Sequence, residues 1–213
     1  MTEKNYLALF AKSFNWAGFF LPKNIYHDCS KLYAFCRILD DLVDEKDNLE
    51  IKIKRFNEIK NIYKNNYELD NSNRQLPDKN EHKLIVNDMI ILADNNNIKR
   101  IILDDLIEGI GSDLKQKVYF RSVKDLLVYS YRVAGTVGLM MAKILKVSDT
   151  RSLKGAIDLG IAMQLTNISR DVVEDEKKNR VYLIKNSKDT MLDIKNIISK
   201  ADSFYDSSFV GIK

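Results

Sequence analysis

Apolar residues recur at three- and four-residue steps along most of this chain, which is the spacing of one face of an α-helix. Almost no segment alternates as a strand would, so the pattern predicts an all-α protein. Pro22 suits the first turn of the second helix, because its missing N–H would be unpaired there anyway. The predicted helices cover residues 3–20, 23–46, 48–64, 83–95, 98–117, 122–146, 150–177 and 189–207.

Residues 65–83 interrupt this periodicity with Asn, Asp, Glu, Lys and a proline, and they predict a surface loop between helices. The sequence contains no internal repeat, and 213 residues are enough for one well-buried core. We therefore expect a single domain over residues 1–213.

Composition narrows the classes of function. The chain has 34 Lys and Arg against 30 Asp and Glu, and the lysines are scattered among the acids. No nucleic-acid partner is expected, and a nucleic-acid-binding helical domain ranks last among the alternatives. No Gly-rich loop follows a strand, so no nicotinamide cofactor is expected. With no secretion signal or membrane-spanning stretch recognisable, we expect a cytoplasmic protein with Cys29 and Cys36 as reduced core residues.

The second predicted helix ends in an acidic run. At about 100° per residue, Asp40 and Asp44 continue the inward stripe of this helix, whereas Asp41 points about 100° away from it. We therefore expect Asp40 and Asp44 on the buried face and Asp41 beside them. The stripe consists of Cys29, Tyr33, Cys36, Asp40 and Asp44, with Arg37 at its edge.

The helix predicted over residues 150–177 repeats this arrangement. Its apolar face also ends in two aspartates one turn apart, Asp171 and Asp175, and Asn167 precedes them by one further turn. The three side chains form a ladder of oxygen ligands along the helix. The full stripe consists of Leu153, Ile157, Ile161, Gln164, Ile168, Asp171 and Asp175.

Inward carboxylates repel one another, and two like charges about 4 Å apart cost on the order of 4 kcal/mol at an effective dielectric of 20. Mg²⁺ relieves such repulsion, since it takes one or two carboxylates and completes its shell with water and phosphate oxygens. For either helix alone, the structural alternative is a set of salt bridges. Both helices together favour a Mg²⁺ site for a diphosphate substrate. The candidate salt-bridge partners are Arg37, Arg170, Arg180 and nearby lysines.

Four segments of the chain resemble the squalene/phytoene synthase family in order and spacing, from about residue 10 to about residue 184. The fourth segment is the most specific, and the similarity is closer to phytoene synthases than to squalene synthases. The segments are Ser13–Phe14, Tyr33–Arg37 followed by Asp40 and Asp44, Tyr129–Gly138, and Gln164–Asp175.

The resemblance implies the isoprenoid synthase fold, a helical bundle in which two aspartate-rich helices face each other across a central cavity. It also implies that the segment from Glu176 to Leu183, here named the flap, closes over the substrate. The implied catalytic residues are Asp40, Asp44, Asp171 and Asp175, which with Asn167 hold Mg²⁺, or Mn²⁺ in its place. The candidate substrate-binding residues are Ser13, Phe14, Tyr33, Arg37, Tyr129, Val133, Val137, Gln164, Asn167, Arg170, Arg180 and Tyr182.

Several of these residues have a plainer alternative. Gln164 is either a hydrogen-bond partner in the cavity or a buried structural residue. Arg170 lies off the inward stripe, so it either serves the phosphate site or braces a neighbouring helix. Gly135 and Gly138 keep space open either for a prenyl tail or for close packing of another helix.

The implied reaction joins two geranylgeranyl diphosphates head to head through a cyclopropylcarbinyl diphosphate, as in phytoene formation for carotenoid biosynthesis. A dry cavity protects the cations, and the faces of Phe14, Tyr33 and Tyr129 stabilise them by roughly 0.5 to 2 kcal/mol each. The first alternative is a squalene or dehydrosqualene synthase that uses farnesyl diphosphate. The second is a catalytically silent family member that acts as an assembly or scaffold protein.

Members of this family usually continue through further C-terminal helices, and this chain ends at Lys213. We therefore expect a C-terminally truncated form of the fold, with a partner chain supplying the missing helices. The apolar product also leads us to expect peripheral contact with the inner face of the membrane.

Overall fold

The computed structural model of the protein describes Tyr6, Leu9 and residues 12–68, 81–184 and 189–212. Secondary structure in these ranges is almost entirely helical, as the periodicity predicts. The chain divides into two compact units, residues 1–99 and 100–213. The single domain expected over residues 1–213 stays a prediction.

The first unit is built from helices of which three pack against one another. Its second helix begins at Lys23, directly after Pro22, whose carbonyl accepts the Tyr26 N–H at 2.9 Å. The helices are α1 (Lys12–Gly18), α2 (Lys23–Asp44), α3 (Leu49–Glu68) and α4 (Glu81–Asn95), and α2, α3 and α4 form the packed set. The core of this unit includes Phe35, Leu39, Ile59, Tyr63, Val86, Met89 and Ile90.

The loop predicted over residues 65–83 is wrong at both ends. Helix α3 continues to Glu68 and α4 begins at Glu81, so residues 65–68 and 81–83 are helical. Asn66 is buried although it is polar, because its side-chain amide donates to Asn87 Oδ1 at 2.7 Å. The intervening residues 69–80 lie outside the described ranges.

The second unit contains more and shorter elements. A π-helical turn, Tyr131–Gly135, joins two α-helices into the continuous helix predicted over residues 122–146. Such turns inside helices are frequent at functional sites. The elements are α5 (Arg100–Gly111), β1 (Val118–Tyr119), α6 (Val123–Ser130), α7 (Thr136–Ile144), α8 (Thr150–Arg170), α9 (Val172–Lys177), β2 (Arg180–Val181) and α10 (Thr190–Ile212).

The two strands pair in parallel and bring the flap against the segment before α6. Val118 N–H donates to the Asn179 carbonyl at 3.0 Å. Asn179 has a φ of 59°, a left-handed conformation that asparagine tolerates better than most residues. The helix predicted over residues 98–117 therefore ends early, at Gly111, and gives way to this pairing.

Helix α8 lies in very close contact with the helix formed by the π-turn and α7. A Cβ atom on Gly138 would overlap the Ala156 carbonyl oxygen, and one on Gly160 would overlap the Ala134 carbonyl oxygen. A Cβ on Gly135 would lie 3.3 Å from the Ile157 side chain. Close packing of another helix is therefore the alternative that holds for Gly135 and Gly138.

Both cysteines carry free thiols. Cys29 is buried, as predicted for a core residue, and burial raises its pKa to about 11. Cys36 is only half-buried, so part of this residue is accessible to solvent. None of the helices in the described ranges combines the length and apolarity that crossing a bilayer requires.

Candidate active site

The predicted ladder of oxygen ligands is present on the α8–α9 segment. Asp171 separates the two helices with φ −99° and ψ 15°, which breaks the helix predicted over residues 150–177 at one residue. The hydrogen bonds nevertheless continue, because Asp171 N–H donates to the Asn167 carbonyl and Asp175 N–H to the Asp171 carbonyl, each at 2.9 Å. Asn167, Asp171 and Asp175 thus follow one another at one-turn intervals, and all three are half-buried.

The apolar part of this face is also where the periodicity places it. Ile161 and Ile168 are buried in the core of the second unit, and Ile157 packs against that core. Gln164 is half-buried, so the face runs from apolar core to partly accessible acid. The inward phase predicted for α8 is confirmed.

The two carboxylates of the ladder differ in electrostatic state. Burial, and then the charge of Asp171, raise the pKa of Asp175 to about 6, although Arg180 and Lys178 oppose the rise. Asp171 has a lowered pKa because the Arg170 guanidinium donates to both of its oxygens, at 2.6 Å each. The two neighbouring carboxylates repel each other when both are ionised, so the charge on Asp171 makes Asp175 harder to ionise.

This donor set fits a hard divalent cation. One amide oxygen and two carboxylates are ligands that Mg²⁺ prefers. One of the two carboxylates, Asp175, has a raised pKa, and a bound cation would favour its ionised form. Across residues 12–68, 81–184 and 189–212, however, no three acidic, histidine or cysteine side chains converge as a ready-made metal site. Water and substrate oxygens would have to complete the shell of any bound ion.

Arg170 lies off the inward face, as predicted, with 66% of its side chain exposed. Its partner is the adjacent Asp171. Its role at a phosphate site and the alternative of bracing a neighbouring helix both stay predictions.

An aromatic cluster lies beside the acidic ladder. Tyr129 from α6 and Tyr182 from the flap stack with ring centroids 5.1 Å apart and ring planes at 20°. Phe120 contacts both rings, at 5.1 Å from Tyr129 and 5.8 Å from Tyr182. The Tyr129 hydroxyl donates to Asp113 Oδ2 at 2.8 Å. Burial raises the pKa of both tyrosines, so both phenols stay protonated.

Asp113 and Phe120 were missed in the sequence. Both lie between α5 and α6, where helical periodicity gives no information. An isolated acid followed by Val-Tyr-Phe shows no pattern that would single it out. Only the parallel pairing of β1 with β2 brings this segment to Tyr182.

The flap itself lies over the acidic ladder. A narrow cleft is lined by Ile168, Val172, Asp175, Arg180 and Tyr182. The Arg180 charge acts on Asp175, and the Tyr182 side chain is buried. The prediction that these two flap residues meet a diphosphate remains untested, as does substrate contact by the half-buried Val133 and Val137.

The acidic end of α2 differs from the prediction. Asp40 and Asp44 are exposed, so their placement on the buried face is wrong. The reason is a phase error: the buried face is centred on leucine and phenylalanine positions about 140° away from the aspartates around the helix. The buried residues of the helix are Cys29, Leu32, Ala34, Phe35, Ile38, Leu39, Leu42 and Val43.

The other predicted residues of the first unit are only partly characterised. Arg37 and Tyr33 are half-buried, and Arg37 pairs with Asp41 at 2.7 Å, which agrees with Asp41 being a neighbour and not a primary ligand. Desolvation raises the pKa of Tyr33. Ser13 and Phe14 lie on α1, and their side chains are outside the described part of the structure.

Comparison with known proteins connects both units to one family. The family model described as squalene/phytoene synthase matches residues 7–185. The phytoene synthase of Rhodobacter capsulatus is 32% identical over 175 residues, which are 80% of this chain and 48% of the relative. The 15-cis-phytoene synthase of Pantoea ananas is 33% identical over 178 residues, 83% of this chain and 57% of the relative. The chain thus spans about half the length of these curated relatives.

Solved structures give the fold. A crystal structure of a dehydrosqualene synthase in complex with ligand superposes with a TM-score of 0.74 and 28% identity, covering 95% of this chain and 73% of the other. The squalene synthase HpnC from Alicyclobacillus acidocaldarius superposes with a TM-score of 0.71 and 19% identity, covering 94% and 78%. The isoprenoid synthase fold is therefore confirmed. The chain belongs to the squalene/phytoene synthase family.

Proposed function

We propose that this chain is a prenyltransferase that joins two allylic prenyl diphosphates head to head with the help of Mg²⁺ or Mn²⁺. The observation that carries the proposal is the half-buried ladder of Asn167, Asp171 and Asp175, in which Asp175 resists ionisation. Such a carboxylate pair gains most from a cation and an anionic ligand bound together. Family membership supports the same class of reaction.

The proposed residues have two kinds of role: some bind the metal ion and the diphosphate, and others shield the substrate from water. The residues that would hold Mg²⁺ in this proposal are Asp40, Asp44, Asn167, Asp171 and Asp175. When bound, Mg²⁺ supplies neutralisation of the leaving diphosphate, so that the allylic C–O bond can ionise.

Other side chains bind and shield the substrate in this proposal. Arg37 and Arg180 face the diphosphate, because each carries a charge next to an acidic group of the ladder or of α2. Tyr129 and Tyr182, with Phe120, exclude water and turn aromatic faces toward the cation that ionisation leaves. No side-chain nucleophile is required.

For the substrate we propose geranylgeranyl diphosphate, because the Rhodobacter and Pantoea relatives carry the name phytoene synthase. The product would be a phytoene-type hydrocarbon, formed through a cyclopropylcarbinyl diphosphate and without a nicotinamide reductant. The second candidate is a dehydrosqualene synthase using farnesyl diphosphate, which the structural likeness at 28% identity favours.

The test is an incubation of the purified chain with farnesyl or geranylgeranyl diphosphate, with and without Mg²⁺ and a nicotinamide reductant. The proposal predicts a 40-carbon hydrocarbon from geranylgeranyl diphosphate that requires Mg²⁺ and ignores the reductant. A 30-carbon product from farnesyl diphosphate would select the second candidate. Mg²⁺-dependent binding of both substrates without any product would instead favour a silent assembly protein.

A membrane interaction belongs to the same proposal. We propose that the apolar product leaves through contact with a membrane surface. Sedimentation with phospholipid vesicles tests this point, and a protein that stays entirely in the supernatant would contradict it.

A further inference from the structure

Asp113 lies two residues beyond the end of α5, close to the acidic ladder but outside it. Its Oδ2 atom accepts the hydrogen bond from the Tyr129 hydroxyl at 2.8 Å. The Tyr129 hydroxyl in turn lies 3.3 Å from the Tyr182 hydroxyl. One carboxylate therefore sits at the polar end of two tyrosines, one from α6 and one from the flap.

The flap is held to the second unit by several kinds of contact. The pairing of β1 with β2 involves two residues from each strand. Tyr182 and Leu183 are buried in the core of the unit, and the stacking of Tyr182 on Tyr129 and Phe120 accepts a range of offsets. Hydrogen bonds to a carboxylate are directional and stronger than neutral ones. Asp113 orients the Tyr129 hydroxyl through such a bond, and that hydroxyl meets Tyr182 of the flap.

Movement of Tyr182 would be transmitted to Arg180. The two residues are separated by one position along the chain, and both line the same cleft. Arg180 lines the same cleft as Asp175. The distance between this arginine and the acidic ladder therefore depends on where Tyr182 is held.

We propose that Asp113 is a positioning residue: through the hydroxyls of Tyr129 and Tyr182 it fixes the flap so that Arg180 stays beside Asp175. The proposal rests on the proposed function in treating the acidic ladder as part of the diphosphate site. The hold on the flap itself does not depend on that function.

Two measurements test it, neither of which needs turnover. For Asp113→Ala we expect amide hydrogen exchange at Arg180, Val181 and Leu183 to become about tenfold faster, because a charge-assisted hydrogen bond is lost. We also expect the Mg²⁺-dependent affinity for inorganic pyrophosphate to fall about tenfold. Adding Asp113→Ala to Arg180→Gln should weaken pyrophosphate binding no further than Arg180→Gln does alone.

Asp113→Asn separates positioning from charge. Asparagine keeps an acceptor for the Tyr129 hydroxyl and removes the charge, so it should restore most of the slow exchange and most of the affinity. Tyr129→Phe removes the donor and keeps the carboxylate, and it should behave like Asp113→Ala. If Asp113→Asn is as impaired as Asp113→Ala while Tyr129→Phe is normal, the positioning role is overturned in favour of a charge effect.

Asp105 provides the matched control. It accepts a hydrogen bond from the Tyr131 hydroxyl at 3.3 Å in the same unit, but neither residue belongs to the flap. Asp105→Ala should leave flap exchange unchanged, and equal changes in both variants would overturn the proposal, as would no change in Asp113→Ala. If the parent binds no pyrophosphate with Mg²⁺ but the exchange results are as expected, the proposed function fails and the hold on the flap stands.

Discussion

The acidic pairs of α2 and of α8–α9 are alike in sequence and different in their surroundings. Each places two aspartates one turn apart at the end of a long helix. Asp40 and Asp44 are exposed, whereas Asp171 and Asp175 are half-buried next to the flap. Spacing alone therefore does not decide how far such a pair is buried. Electrostatic effects are identified for the second pair, since burial raises the pKa of Asp175 and the Arg170 guanidinium lowers that of Asp171.

The largest expected effect comes from the second pair. Asp171→Ala removes one of the two carboxylates of this ladder, so product formation should fall by about 10³-fold or more. Glu174→Ala is the control, since Glu174 is exposed on the adjoining helix α9 and pairs with Lys178 at 3.7 Å. Radiolabelled substrate and product extraction measure both. A residual rate within tenfold of the parent would remove Asp171 from the site.

The first pair is tested against its own neighbour. Asp40→Ala should lower the rate by about 10²-fold if α2 supplies metal ligands, because one charged contact in the transition state is lost. Asp41→Ala should change it less than about threefold, since an exposed ion pair such as Arg37–Asp41 contributes little. Equal losses in the two variants would show that the phase of this helix does not matter to the reaction.

Helix α8, which leads to Asp171 and Asp175, packs closely against the helix formed by the π-turn and α7. Gly138→Ala places a methyl group on the Ala156 carbonyl oxygen, so the free energy of unfolding should fall by about 1–3 kcal/mol. Gly160→Ala should act similarly through the Ala134 carbonyl oxygen. Urea unfolding followed by circular dichroism measures both, and unchanged midpoints would contradict the packing.

The raised pKa of Asp175 predicts a pH dependence. Asp175 has a folded-state pKa of about 6, above the value near 3.9 of an unfolded chain. Its ionisation therefore costs stability, and the cost is absent below pH 4, grows between pH 4 and 6, and is complete above pH 6. With EDTA present, Asp175→Asn should be more stable than the parent by about 1 kcal/mol at pH 8, a value discounted for partial exposure, and equal to it near pH 4. A difference independent of pH would contradict this assignment.

The smallest effect is expected at Arg170. The Arg170–Asp171 pair lowers the pKa of Asp171, so it adds stability above the unfolded pKa and loses it as the pH falls. Because the arginine is mostly exposed, Arg170→Gln should leave the midpoint of urea unfolding at pH 7 almost unchanged. A midpoint shift as large as that of Gly138→Ala would mean that this pair is structural.

Helical periodicity was sufficient for most of the fold and for one of the two acidic faces. The stripe from Ile161 to Asp175 was recognisable because large aliphatic residues define its phase directly. On α2 the chosen stripe ran through Cys29, Tyr33 and Cys36, whereas the leucines at 32, 39 and 42 define the buried face. Side-chain size, more than polarity alone, decides which face a mixed helix buries.

The features that could not be predicted from the sequence are those that depend on long-range contacts. Two-residue strands leave no alternation to detect, and the pairing of Val118 with Arg180 joins segments about sixty residues apart in sequence. Asp113 and Phe120 owe their place beside Tyr182 to that pairing. Polar residues within helices were also misleading, since Asn66 is buried through its hydrogen bond to Asn87.

The central claim is that the ladder of Asn167, Asp171 and Asp175 binds Mg²⁺ together with a diphosphate. Its most direct test is a titration of a prenyl thiolodiphosphate, with and without Mg²⁺, into the parent, Asp171→Ala and the control Glu174→Ala. The account predicts that Asp171→Ala binds the ligand with Mg²⁺ at least tenfold more weakly and that Glu174→Ala binds it like the parent. Parent-like affinity in Asp171→Ala would contradict the claim.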